Sequence, residues 1–256
     1  MDWKEKVLDE VRNAHADVTA LMVNADSNEV MLEYNADARV VSASTIKVAI
    51  MLCALDAVKK GELSLDQHIQ VSDSDILEDS EVFEYGAQEM QLGDLIRWMI
   101  ITSDNTATNV LIRLLTMPRI NAYCRQISLK NTCVERVMLD FDAVEKGLNN
   151  YTSAQDQCRM FLMIAHKTIL DEQLCAWAMD ALLGQRYKDD FMRYIPDRVK
   201  VAHKTGSLDN LDHDSALFFL DSIRFYLGVF VSNAPDNGYA QRLLGRIGKC
   251  VYDEWK

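Results

Sequence analysis

The sequence predicts a mixed α/β fold of the α+β type. About five antiparallel strands from both ends of the chain form one sheet flanked by terminal helices, and an all-helical lobe is inserted between them. Three observations predict this: β-rich runs lie near both ends, helical periodicity fills the middle, and no linker or repeat divides the 256 residues. We expect one domain with two lobes, 1–60 plus 199–256 and 61–198.

The first part of the chain predicts a helix, a hairpin and a second helix. Apolar residues recur at helical spacing over about the first 14 residues: Trp3, Val7, Leu8 and Val11. The β-rich runs Val18–Val23 and Val30–Tyr34 are joined by turn-forming residues and predict a hairpin. From Ser44 a wide apolar stripe at helical spacing runs to Gly61, which places Ser44 in the first turn of a helix.

The middle of the chain predicts helices, and the last part returns to strands. Five segments have helical periodicity: Leu92–Ile101, Thr106–Leu115, Arg119–Ile127, Ser153–Ile169 and Asp171–Leu183. Between them, Asn131–Asn150 has weak periodicity and predicts a long loop, a feature that is usually functional. Near the end, three strands and a helix are predicted: Val199–Lys204, Ala216–Leu220, Ile223–Ser232 and Asn237–Glu254.

Charge and composition narrow the range of partners. Lys and Arg number 27 against 39 Asp and Glu, and a net charge of −12 opposes binding to nucleic acid or an anionic membrane. The first residues do not have the apolar stretch that a secretory leader needs, so we expect a cytoplasmic protein, or an extracytoplasmic one if a leader has been removed. No Cys or His residues have metal-ligand spacing, so we expect no metal and no cofactor. We expect a monomer.

Three short segments carry side chains suited to chemistry. Ser44-Thr45-Ile46-Lys47 places a hydroxyl and an amine on one helix face, where a neutral amine could take the hydroxyl proton. Ser103-Asp104-Asn105 lies between two predicted helices, and Lys204-Thr205-Gly206 ends a predicted strand. Each alone has an ordinary explanation: a helix start with a surface lysine, a capping turn, or a strand exit. Capping, however, does not require Ser103.

Together and in this order, the three segments resemble the signature of the class A β-lactamase family. By chance the combination arises in roughly one of several hundred such sequences. The resemblance extends through Leu95–Ala107 to the terminal strands and helix, and it covers nearly the whole chain. It implies a serine hydrolase that acts on a small molecule, a β-lactam or a related amide or ester.

The resemblance also implies residue roles. Ser44 resembles the nucleophile that becomes acylated, Lys47 its proton acceptor, and Ser103 the hydroxyl that relays a proton to the leaving nitrogen. A lysine serves this way only when its pKa falls, which burial and a second cation would cause. The substrate-binding residues implied are Asn105, Lys204, Thr205, Gly206 and Ser207, and the backbone N–H groups of Ser44 and Ser207 match the family's oxyanion hole.

Two departures from the family pattern bear on activity. In the family, a loop glutamate two residues after an arginine positions the water for deacylation, but here Arg136 is followed by Val137 and Met138. Asp140 and Asp142 are the nearby candidates for that base, against the alternative of a solvated loop.

The second departure lies after the third segment. Many family members carry a strand arginine for the substrate carboxylate, whereas this chain has Leu211-Asp212-His213-Asp214, and an acid there would weaken binding of an anionic substrate. His213, as a donor or a base, and Arg224 are the candidate substitutes; the alternative for His213 is an exposed residue at a strand edge.

The sequence therefore favours β-lactam hydrolysis with slow deacylation. The rival enzyme is a cytoplasmic esterase, amidase or peptidase that uses the same serine. A binding module that stays acylated by penicillin is the third interpretation.

Overall fold

A computed structural model describes residues 2–256, and its centre is a five-stranded antiparallel sheet of order β2-β1-β9-β8-β7. The strands are β1 Asp17–Asn24, β2 Val30–Tyr34, β3 Val40–Val41, β4 His68–Val71, β5 Gln88–Gln91, β6 Tyr151–Thr152, β7 Lys200–Leu208, β8 Leu211–Phe219 and β9 Arg224–Ser232. The α-helices are α1 Trp3–Arg12, α2 Lys47–Lys59, α3 Leu92–Ile101, α4 Asn105–Leu115, α5 Met117–Gln126, α6 Phe141–Glu145, α7 Ala154–Ala165, α8 Glu172–Leu183 and α9 Asn237–Trp255. Among these residues no helix has the length and apolarity needed to cross a membrane.

The sheet joins the two ends of the chain. Strand β1 pairs along its whole length with β9, with Leu21 opposite Gly228. Alternate residues of β1 enter different cores because successive side chains of a strand point to opposite faces. Ala20 and Met22 pack with α1 and α9, whereas Leu21 and Val23 pack with the helices of the other face. The predicted fold class is confirmed, and the lobe boundaries stay a prediction.

The structure corrects two details of the predicted elements. Strand β7 continues to Leu208 and β8 begins at Leu211, so the segment Lys204–Gly206 lies inside a strand rather than at its end. The lobe expected to be all helical also contains a two-stranded ladder, β4 with β5. Its strands are short and mostly exposed, so they lack the alternating apolar pattern that identifies a half-buried strand.

Candidate active site

Ser44 lies in a 3₁₀ turn, Ala43–Ile46, that leads directly into α2. The predicted placement of Ser44 in the first turn of a helix is therefore confirmed. Helix α2 is buried along most of its length, including Lys47 at its first position, so it supports the turn rigidly. Ala43 has a φ of 43°, in the left-handed region that residues other than glycine occupy mainly in tight or functional turns.

Ser103 links two buried lysines. Lys47 Nζ donates hydrogen bonds to Ser103 O at 2.6 Å, Asn105 Oδ1 at 2.7 Å and Ser103 Oγ at 3.0 Å. Lys204 Nζ donates to the same Ser103 Oγ at 3.0 Å and to Thr205 O at 2.9 Å. The three sequence segments are thus brought into one hydrogen-bonded network.

Burial changes the protonation of both lysines. Desolvation, followed by the charge of Lys204, holds the pKa of Lys47 well below its usual value. Desolvation also lowers the pKa of Lys204 to about 7. A neutral amine beside Ser103 is therefore accessible near neutral pH, which meets the condition for a lysine that accepts a proton.

The turn before α4 holds Ser103 in place. Ser103 has a φ of 57°, and the next residue, Asp104, caps α4 by accepting a hydrogen bond from Ala107 N at 2.7 Å. Asp104 also accepts a hydrogen bond from Ser80 Oγ at 2.5 Å. The capping expected from the sequence is confirmed for Asp104, which leaves the Asn105 side chain free to contact Lys47.

Gly206 allows β7 to approach the turn that carries Ser44. A Cβ atom at position 206 would lie 3.1 Å from Ser44 N, Ser42 O and Ala43 Cβ. Such distances are tighter than ordinary van der Waals contact, so a side chain there would push the strand away from Ser44. The glycine fixes the spacing between the strand edge and the backbone N–H of Ser44.

These segments line a cleft of about 240 Å³. The predicted residues that line it are Ser44, Ser103, Asn105, Thr205, Gly206 and Ser207. Lys47 and Lys204 are fully buried behind Ser103. Within residues 2–256 no hydrogen bond joins Ser44 Oγ to Lys47 Nζ. Catalytic hydrogen bonds often tighten only when substrate binds.

The loop that carries Met138 is held firmly although it lacks the glutamate. The Asn109 side chain accepts a hydrogen bond from Met138 N at 2.7 Å and donates one to Met138 O at 3.2 Å. Asp140 accepts from Ala143 N at 3.0 Å and caps α6, while Asp142 is exposed. Neither aspartate lines the cleft. The structure therefore gives no support to either as the deacylation base.

His213 and Arg224 do not line the cleft either, so the structure gives no support to a contact with substrate. His213 is fully buried, accepts a hydrogen bond from Val231 N through Nδ1 and donates through Nε2 to Val41 O. Burial lowers its pKa to about 4, so it is neutral and internally paired. Arg224, the first residue of β9, forms an exposed ion pair with Asp26.

Sequence reasoning missed several residues of the cleft wall. Four aspartates line it: Asp79, Asp189, Asp190 and Asp212. They come from three separate regions of the chain, so no local spacing identifies them as a group. Only Asp212 could be singled out from the sequence, because it lies in the segment where the family pattern predicts an arginine. Tyr187 and Gln241 complete the missed part of the lining.

Comparison with known proteins agrees with the fold. A model of the beta-lactamase enzyme family matches residues 3–255. The β-lactamase of Bacteroides uniformis is 23% identical over 99% of this chain and 91% of its own. A D-alanyl-D-alanine carboxypeptidase of Bacillus subtilis is also 23% identical, over 57% of this chain and 38% of its own. The crystal structure of a β-lactamase from Chitinophaga pinensis has a TM-score of 0.92 at 20% identity and covers 98% of both chains.

The fold and these similarities define a serine hydrolase of the β-lactamase type. Because the family model spans residues 3–255, the chain belongs to the beta-lactamase enzyme family.

Proposed function

We propose that the protein is a serine β-lactam hydrolase that forms an acyl-enzyme on Ser44 and deacylates slowly. The observation that carries this proposal is the network in which Lys47 and Lys204 both donate to Ser103 Oγ beside the cleft that Ser44 lines. The substrate is a small molecule, and the protein acts as a monomer without metal or cofactor.

Acylation uses the residues of this network. Ser44 Oγ attacks the carbonyl carbon of the amide while its proton passes to the neutral Lys47 amine. The backbone N–H groups of Ser44 and Ser207 stabilise the oxyanion. The C–N bond then breaks, and Ser103 passes a proton, replaced from Lys47, to the leaving nitrogen. Asn105 binds the substrate's side-chain amide.

Deacylation lacks an equivalent base. Water must lose a proton as it attacks the acyl carbonyl, and the thioether of Met138 cannot accept one. Asp140 is engaged as a helix cap and Asp142 is exposed outside the cleft. A positioned general base contributes roughly 10²- to 10⁴-fold, so the acyl-enzyme should accumulate.

Intact mass spectrometry during incubation with a penicillin and a chromogenic cephalosporin tests the proposal. We expect the mass of one penicillin on the protein and a burst of about one product per enzyme before slow turnover. Rapid turnover without accumulation would contradict slow deacylation.

The retained acylation residues and the missing base also fit an esterase, amidase or peptidase of the same fold. Turnover of an ester or peptide without labelling by either β-lactam would favour that rival. Permanent labelling with no turnover of any substrate would favour a penicillin-binding module.

A further inference from the structure

The catalytic cleft has an acidic wall. Asp79, Asp189, Asp190 and Asp212 all line it, whereas no lysine, arginine or histidine does so within residues 2–256. The two lysines of the site are fully buried, and their amines already donate to Ser103 and other protein oxygens. A ligand in this cleft therefore meets carboxyl groups rather than cationic side chains.

Asp190 has a buried oxygen without a partner. The residue is 6% exposed, and its Oδ1 atom makes no hydrogen bond within the part of the chain that the structure describes. Leaving a buried carboxyl oxygen unpaired is costly, so such an atom calls for an explanation. Because Asp190 lines the cleft, its carboxyl group is placed to meet a donor group on a bound ligand.

The surroundings of Asp190 concentrate negative charge. Desolvation raises the pKa of Asp190 well above its usual value, repulsion from Asp214, Asp212 and Asp189 adds to this effect, and the charge of Lys204 opposes it. The raised pKa favours the neutral acid until a cation binds. A cationic group placed beside Asp190 would relieve that repulsion, whereas a carboxylate would increase it.

Asp212 is held at the same wall by fixed contacts. Its Oδ2 accepts a hydrogen bond from Asn237 Nδ2 at 2.6 Å, and Asn237 also donates to Leu208 O at 2.8 Å. Asn237 is the first residue of α9. Desolvation raises the pKa of Asp212, and hydrogen bonds from Ser207, Asn237 and Gln241 oppose that rise. Asp212 is thus held in a fixed orientation beside Ser207, where a cationic group would favour its ionised form.

We propose that the natural substrate carries a protonated amine or a similar organic cation, which binds between Asp190 and Asp212 at the end of the cleft near Thr205. There the family resemblance would place a substrate carboxylate. The inference rests on the proposed function, because it requires Ser44 to be the nucleophile. Acylation forms the bond from Ser44 Oγ to the acyl carbon and breaks the bond from that carbon to the leaving nitrogen or sulfur. The cation lies on the leaving side, which departs from a linear substrate and stays tethered in a ring-opened cyclic amide.

Three hippuryl thioesters with matched leaving thiols test this inference. The thiols are 3-mercaptopropionate, 3-mercaptopropanamide and 2-(dimethylamino)ethanethiol, which are anionic, neutral and cationic at neutral pH. The tertiary amine keeps one N–H donor when protonated and cannot capture the acyl group as a stable amide. Mass spectrometry of the released thiol gives kcat/KM, and division by the hydroxide-catalysed rate removes differences in intrinsic reactivity.

We expect the cationic thioester to exceed the neutral one about tenfold and the anionic one by more, as a charge-assisted hydrogen bond predicts. Asp190→Asn and Asp212→Asn should each remove most of this preference. Asp221→Asn makes the same charge change in the exposed β8–β9 turn and should keep it. Thermal unfolding checks that each variant folds. If a variant does not fold, the order of kcat/KM for the three thioesters with the wild-type protein tests the inference.

The outcomes separate the two proposals. Preference for the neutral or anionic thioester overturns the inference, and so does an unchanged preference in folded Asp190→Asn and Asp212→Asn. If no thioester reacts while a penicillin labels Ser44, the inference fails and the proposed function stands. If Ser44→Ala hydrolyses the thioesters at the wild-type rate, the proposed function fails.

Discussion

The two sides of Ser44 differ in what they retain. On one side, α2, the turn at Ser103 and strand β7 hold two lysines and a serine in a continuous hydrogen-bonded network. On the other side, the loop that carries Met138 keeps its anchor to Asn109 but presents no carboxylate to the cleft. A scaffold can therefore persist where one of its chemical groups is missing, and the two half-reactions can be tested separately.

The largest effect is expected on the acylation side. Ser44→Ala should abolish covalent labelling by penicillin, measured by intact mass, because no other nucleophile is positioned in the proposed mechanism. The fold should survive, since a serine at a helix start contributes only about 1 kcal/mol. Ser27→Ala, in the β1–β2 turn, is the matched control and should label normally. Labelling of Ser44→Ala at the wild-type stoichiometry would identify a different nucleophile.

Lys47→Arg should slow acylation by roughly 10²- to 10⁴-fold, because a guanidinium does not deprotonate and cannot accept the serine proton. In the wild type, acylation should rise with pH through the lowered pKa of Lys47, since only the neutral amine is a base. Stopped-flow acylation rates across pH measure both effects. Lys59→Arg, at the exposed end of α2, is the control. A near-normal rate in Lys47→Arg would show that another base serves.

Met138→Glu probes the other side of the comparison. A carboxylate at this anchored position should shorten the acyl-enzyme lifetime, by about tenfold or more if it reaches the attacking water. Met138→Gln has the same length without the charge and should leave the lifetime unchanged. Mass spectrometry of the decaying acyl-enzyme gives both values. Equal lifetimes in the two variants would mean that this loop does not face the acyl carbonyl.

Gly206→Ala sharpens the geometry of the acylation side. The added Cβ would contact Ser44 N and Ser42 O at 3.1 Å, so the strand must move away from the nucleophile. We expect an acylation rate about tenfold lower, since small displacements of reacting groups slow catalysis strongly. Gly93→Ala, in α3, meets only Leu65 at ordinary contact distances and serves as the control. An unaffected rate in Gly206→Ala would show that the strand edge tolerates the shift.

The smallest effect is expected for the loop aspartates. Asp140→Asn and Asp142→Asn should change the acyl-enzyme lifetime by less than about twofold, since a base contributes far more than this. Asparagine also caps helices well, so Asp140→Asn should keep the melting temperature close to that of the wild type. A clearly longer lifetime in either variant would restore that residue as a deacylation base.

The sequence predicted most of the sheet because its core strands are rich in apolar residues. The strands predicted for β7 and β8 were too short. Their buried polar residues, including Lys204 and His213, resemble the ends of strands in a sequence pattern. The same buried polar residues explain why the three motifs predicted the network around Ser103. A functional site needs polar side chains at positions where a core strand would otherwise carry apolar ones. The acidic wall could not be predicted, since its aspartates meet only through the fold.

The pairing of distant segments also determines when the site can exist. Ser103 and Lys204, which share a hydrogen bond, are 101 positions apart in the chain, and β1 pairs with β9. Closing such long loops is entropically unfavourable until many contacts form together, and folds dominated by distant contacts form slowly. During synthesis a nascent chain contains Ser44 and Lys47 long before it contains β7, the strand that completes the cleft. We therefore expect the network around Ser103 to form late in synthesis, after β7 to β9 have left the ribosome.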